Sequence, residues 1–147
     1  MKNHFLTLVL SILVFPVLAA DFPAGSPKFE TSFDTALAKA KASGKPLVAV
    51  FSASYCVPCQ NLKKDVYPSP EVTALHDQFE WVYVELEEPT AENEKAQTKY
   101  QVEAVPSIMV IKPDGSVAGH VEPNAPALFA ENLKTIYGKW SATQATQ

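Results

Sequence analysis

The sequence predicts an α/β three-layer sandwich with a central mixed sheet. Short apolar, partly β-branched runs bounded by turn residues alternate with amphipathic helical segments, the pattern of strands covered by helices. A Pro-Asp-Gly turn inside "PSIMVIKPDGSVAGHVE" then reverses the chain as a hairpin, so the sheet is mixed rather than wholly parallel. The 147 residues, 47% hydrophobic and 19% charged, suit one soluble domain that buries a core without a stapling disulfide or a metal.

The first segment stands apart. "MKNHFLTLVLSILVFPVLAAD" has one lysine, an apolar run from Phe5 to Val14 and small residues at Ala19 and Ala20, the plan of a secretory signal peptide. The run falls short of the ~20 residues that a comfortable membrane span needs. Val17 and Ala19 place the cut after Ala19, with Ala20 the second choice and a retained anchor the alternative; no cysteine lies near the cut to carry a lipid. Residues 1–19 are read as the signal, and the remainder as exported, periplasmic or otherwise extracytoplasmic, where thiols tend to oxidise.

Residues 20–30, with two prolines and a glycine, read as a linker or a short edge strand near Lys28–Glu30. Ser32 or Thr31 caps a helix over 33–43, which puts Phe33, Ala36, Leu37 and Ala40 on one face; Gly44 and Pro46 stop it. "PLVAVFSAS" (46–54) is a strand buried on both faces. "VPCQNLKKDV" is helical with Pro58 in its first turn, "YPSPEV" interrupts it, and "PEVTALHDQF" resumes with Pro70 near N1. Further strands follow at 80–86 and 106–112, separated by a polar helix over 90–102; 116–122 returns as the hairpin's second arm. "NAPALFAENLKTIYGKW" is the last helix, with Gly138 as its end. The folded domain is thus read as 31–140, and 141–147 as a frayed tail. Phe51, Phe79, Trp81, Tyr83 and Phe129 are assigned to the core or its edge, and Trp140 to covering the last helix.

Composition excludes some functions. All 12 basic residues are scattered lysines against 16 acids, so there is no basic stripe to hold nucleic acid. Removing residues 1–19 takes Lys2 and no acid, moving the formal charge from −4 to about −5.

The chemistry rests on "SYCVPCQ", which holds the only two cysteines, Cys56 and Cys59. As a staple they would close a very short loop and remove little unfolded-state entropy. As a zinc site they supply half of the usual four ligands, and His4, His76 and His120 lack finger spacing, so no metal is expected. Redox exchange fits better. A cysteine between a buried strand and a helix N-terminus faces backbone N–H groups that favour its thiolate. Cys56 is therefore the candidate nucleophile and Cys59, one turn further in, the resolving thiol, with Val57 and Pro58 setting the strain and pKa between them.

"KPLVAVFSASYCVPCQNLKKDVY" resembles the active-site region of the thioredoxin superfamily, and "KYQVEAVPSIMVIKPDGSVAGHV" resembles its second hallmark, a cis-proline strand and hairpin. Pro106 stands 47 positions after Cys59, and two motifs in order are far more specific than either alone. The "YPSPEV" insertion and the "KP" before the strand resemble the branch holding exported thioredoxin-like proteins and the C-terminal domain of the membrane reductant carrier DsbD. The resemblance covers roughly 28–138 and implies a thioredoxin fold. It implies that Pro106 is cis and that the Val105 backbone is left free to pair with a substrate strand beside Cys56. No cofactor is implied beyond the Cys56–Cys59 couple itself.

Departures from the pattern bear on redox poise and partners. Tyr55 replaces the tryptophan usual before the first cysteine, and either lines the substrate groove or simply packs. Val57-Pro58 replaces Gly-Pro, and Gln60 stands where a basic residue is common. The buried aspartate thought to accept the resolving thiol's proton aligns with Val50, so the proton must pass to water or to another acid. Glu85 is one candidate for that relay; a surface or salt-bridged role is the other reading.

The resulting expectation is an exported thiol–disulfide oxidoreductase that reduces protein disulfides and is kept reduced by a membrane thiol carrier. The chain lacks the large helical insertion of a dedicated oxidase. It shows no dimerisation segment, which predicts a monomer and ranks a disulfide isomerase low. A non-catalytic docking module is the alternative from another class.

Overall fold

The computed structural model describes residues 22–146, and the expected signal peptide lies outside them. Helix α1, Phe33–Ser43, starts where the Ser32 hydroxyl accepts the Thr35 N–H at 3.1 Å and stops at Gly44, whose φ of 70° suits a residue without Cβ. Strand β1, Leu47–Ser52, is buried along its whole length and forms the middle of a four-stranded sheet. It pairs in parallel with β2, Glu80–Glu85, and antiparallel with β3, Ser107–Ile111; β4, Val117–His120, returns antiparallel on β3, giving the order β2-β1-β3-β4.

Alternate residues of each strand serve opposite faces. Leu47, Ala49, Phe51, Val82, Val84, Met109 and Ile111 pack against α1 and against α4, Ala91–Lys99. On the other face Val48, Val50, Trp81, Tyr83, Ile108 and Val110 meet the chain that follows the cysteines and α5, Pro126–Gln144. This is the three-layer thioredoxin fold with its mixed sheet.

The helix after the cysteines has two parts. Helix α2, Val57–Asn61, continues as a π-helical stretch, Leu62–Val66, closed by a Tyr67 N–H to Leu62 carbonyl bond of 3.0 Å. The added residue per turn accompanies burial of Leu62, Val66 and Tyr67 in one core cluster. Helix α3, Pro70–Thr73, is a single turn capped by Ser69, and a 3₁₀ turn, His76–Gln78, leads into β2.

Two expectations are corrected. Gly138 does not end the last helix: α5 runs on through it to Gln144, into the segment read as a tail. A mid-helix glycine costs only about 1 kcal/mol, and Tyr137, packed edge-on against Phe79 at 5.4 Å and Trp140 at 5.5 Å, holds both sides of it together. The edge strand near residue 30 is a single bridge. Glu30 donates its N–H to the Trp81 carbonyl and accepts from the Tyr83 N–H, both at 2.9 Å. The segment before it is no free linker, because Phe22 and Phe29 stack at 4.5 Å and close over Tyr83.

Candidate functional site

Both cysteines sit at the C-terminal end of β1, where the chain turns into α2. Cys56 is the N-cap of α2, and its sulfur accepts the Cys59 N–H at 3.2 Å. The pair is joined as a disulfide, with Cα atoms 5.2 Å apart. Cys56 is 7% exposed and Cys59 2%, so Cys56 is the less buried of the two. The Cys59 N–H thus faces the Cys56 sulfur, and the first turn of α2 holds no acid. Pro58, in that first turn, needs no hydrogen-bond partner for its nitrogen.

The residues around the pair divide sharply. Tyr55 and Val57 are 73% and 69% exposed, so Tyr55 stands out into solvent rather than packing down. Val105 packs against the buried cluster formed by Ala53, Cys56 and Cys59, and the Val105–Pro106 peptide bond is cis. The structure thus brings Tyr55, Val57, Pro58, Val105 and Pro106 into the neighbourhood of the cysteines.

Glu85 closes β2 in register with Ser52, one residue before the turn that carries Cys56. Its Oε2 is buried without a hydrogen-bond partner among the described residues. Burial, and then the charge of Glu87, push its carboxyl above the ordinary range, while Lys63 and the Tyr83 hydroxyl pull it back. With Ser54, Glu87 and Glu88, it lines a cleft of about 470 Å³.

Sequence reasoning overlooked the framework around this site. Tyr83 Oη and Ser52 Oγ share a buried 2.6 Å hydrogen bond, and burial pushes the Tyr83 phenol up to about 12, so it stays protonated at neutral pH. The Ser54 hydroxyl donates to Glu87 at 2.7 Å. The Gln60 amide donates to the Ala53 carbonyl at 3.2 Å. Lys63, one turn beyond Cys59, stands 4.6 Å from the Phe22 ring centre. One available signal was the acidic "ELEE" run at the C-terminal end of a buried strand, the end at which α/β sheets carry their sites.

The thioredoxin-like family profile matches residues 28–113. A thiol:disulfide interchange protein DsbD of Pseudoalteromonas atlantica is 27% identical over 118 residues, which is 73% of this chain and 20% of that protein; the chain thus spans about a fifth of the relative's length. Among solved structures, DsbH oxidoreductase superposes with a TM-score of 0.68 at 21% identity, over 82% of this chain and 92% of that one. The oxidised C-terminal domain of Neisseria meningitidis DsbD gives 0.59 at 21% identity, over 71% and 97%. At such identities the superpositions speak for the fold.

Proposed function

The chain belongs to the thioredoxin-like family, and from that premise we propose that it is an exported thiol–disulfide oxidoreductase that reduces disulfides in protein substrates. The observation that carries this reading is the Cys56–Cys59 pair at a strand-to-helix turn, its outer sulfur capping the helix and its inner cysteine buried. The Cys56 thiolate attacks one sulfur of a substrate disulfide. A Cys56–substrate bond forms, and the other substrate sulfur leaves as a thiolate. Cys59, losing its proton, then attacks the Cys56 sulfur; the Cys56–Cys59 bond re-forms and the second substrate thiolate departs. Two electrons pass to the substrate. A dithiol donor must restore the pair, and a membrane thiol carrier of the DsbD kind would supply it, in keeping with relatives named for thiol:disulfide interchange. Tyr55 and Val57 offer apolar surface to the client, and the backbone at Val105 offers it an edge. The proton from Cys59 passes to water or to Glu85.

The deciding experiment is the reduction potential of the Cys56–Cys59 couple in the protein lacking residues 1–19, equilibrated against glutathione. A value near about −270 mV is expected for a reductase. A value of about −120 to −180 mV would make the protein an oxidant or isomerase and overturn the direction proposed. A pair that never equilibrates would be a structural bridge in a docking module.

A further inference from the structure

We propose that Gln60 is a positioning residue for the exchange, one that keeps the Cys56 turn in its disulfide geometry while the disulfide is open; this rests on the exchange reading above. The turn from Ala53 to Cys56 is gripped twice at one atom. The Ala53 carbonyl accepts the Cys56 N–H at 3.1 Å and the Gln60 side-chain amide at 3.2 Å. Gln60 also grips the other end, because its backbone N–H donates to the Cys56 carbonyl at 3.1 Å. One residue thus ties the end of β1 to the start of α2 across both ends of the turn. Ala53 is fully buried in one cluster with the cysteines, so its carbonyl is anchored in the protein rather than in solvent.

The side-chain grip matters differently in the two redox states. In the disulfide, the covalent bond fixes the turn and the amide is redundant. In the dithiol, the sulfurs are free, and the turn is held by its hydrogen bonds and by the packing of Ala53 and the cysteines. Without the amide, the dithiol gains conformations in which the two sulfurs stand apart, whereas the disulfide gains almost none. The open form is then favoured entropically, and the effective concentration of Cys59 at Cys56 falls. Resolution of a Cys56–substrate disulfide slows for the same reason.

The test is Gln60→Met, which keeps side-chain length and removes the donor, with Gln60→Ala as a second variant that carries no methionine packing. Each is equilibrated with glutathione through the balanced exchange of protein disulfide plus two glutathione thiols for protein dithiol plus glutathione disulfide. Loss of one partly exposed hydrogen bond should move that equilibrium about threefold to tenfold toward the dithiol, about 14–30 mV less negative at ~30 mV per tenfold. Resolution of a mixed disulfide on Cys56 should slow by a similar factor, while the oxidised forms melt within about 2 °C of wild type. An unshifted equilibrium, or equal destabilisation of both redox forms, would overturn the inference. A wild-type pair that never equilibrates would remove the exchange reading and this inference together; a wild type that equilibrates beside unshifted variants would remove this inference alone.

Discussion

The Glu85 carboxyl is caught between its burial and Glu87, which favour the neutral acid, and Lys63, which favours the anion; the first two win. An acid whose pKa is raised by folding costs stability once ionised. Its favourable contribution is complete below the ordinary value of 4.5 and is lost as pH rises through the raised folded value. Glu85→Gln should therefore melt higher than wild type at pH 7–8, by about 1–3 °C, with the gap closing toward pH 4. The effect is small because solvent screens a carboxyl that is only partly buried. Melting curves across that range check the sign. The same variant separates the two routes for the Cys59 proton: a relay through Glu85 predicts that mixed-disulfide resolution loses its pH dependence on the acidic side. An unchanged profile gives that proton to water.

Among the elements, α4 is tied to α1 by one buried side chain. Asn93 accepts the Phe33 N–H at 3.2 Å and donates to the Thr31 carbonyl at 3.0 Å, while Thr90 caps the helix through the Asn93 N–H. Asn93→Ala strands the buried Phe33 N–H and frees the Thr31 carbonyl, and should cost about 1–3 kcal/mol in urea unfolding. It should leave the potential of the cysteine couple unchanged, since this contact lies on the far face of the sheet from α2. Such ties decide which elements were legible in the sequence. Helix α1 was readable to the residue because Ser32 and Gly44 mark its ends by local chemistry. The π-helical stretch was not, because nothing in "LKKDV" prefers an extra residue per turn; Leu62 and Val66 are set by the sheet beneath them. Gly138 misled for the same reason in reverse, since a local stop signal yielded to the ring contacts of Tyr137.

Across the whole molecule, an aromatic cluster links the N-terminal segment to the site. Phe29 meets Phe22, Tyr67, Trp81 and Tyr83 with ring centres 4.5–5.8 Å apart, and Tyr83 reaches Ser52 at the foot of the Cys56 turn. Phe29→Ala should cost about 2–3 kcal/mol, below the full-burial range because the ring is only partly covered; chemical denaturation measures it. The cysteines themselves were readable, since spacing and the strand-to-helix context are local. Gln60 was visible only as a missing base, because a side chain reaching a carbonyl seven residues back needs the turn to exist first. The "DFPAGSPKFE" stretch read as a linker because prolines and glycine hide two phenylalanines whose partners lie far along the chain.

The Glu30 bridge has a consequence for how copies of this chain behave toward one another. Strand β2 lies at one margin of the sheet and is buried through its centre. An uncovered margin of that kind is a template on which a strand from a neighbouring molecule can add, the first step toward aggregation. Glu30 occupies the Trp81 carbonyl and the Tyr83 N–H, and its carboxylate is held by Lys39. A segment whose composition suggests only slack thereby occupies two of the backbone groups on which a neighbouring strand would add.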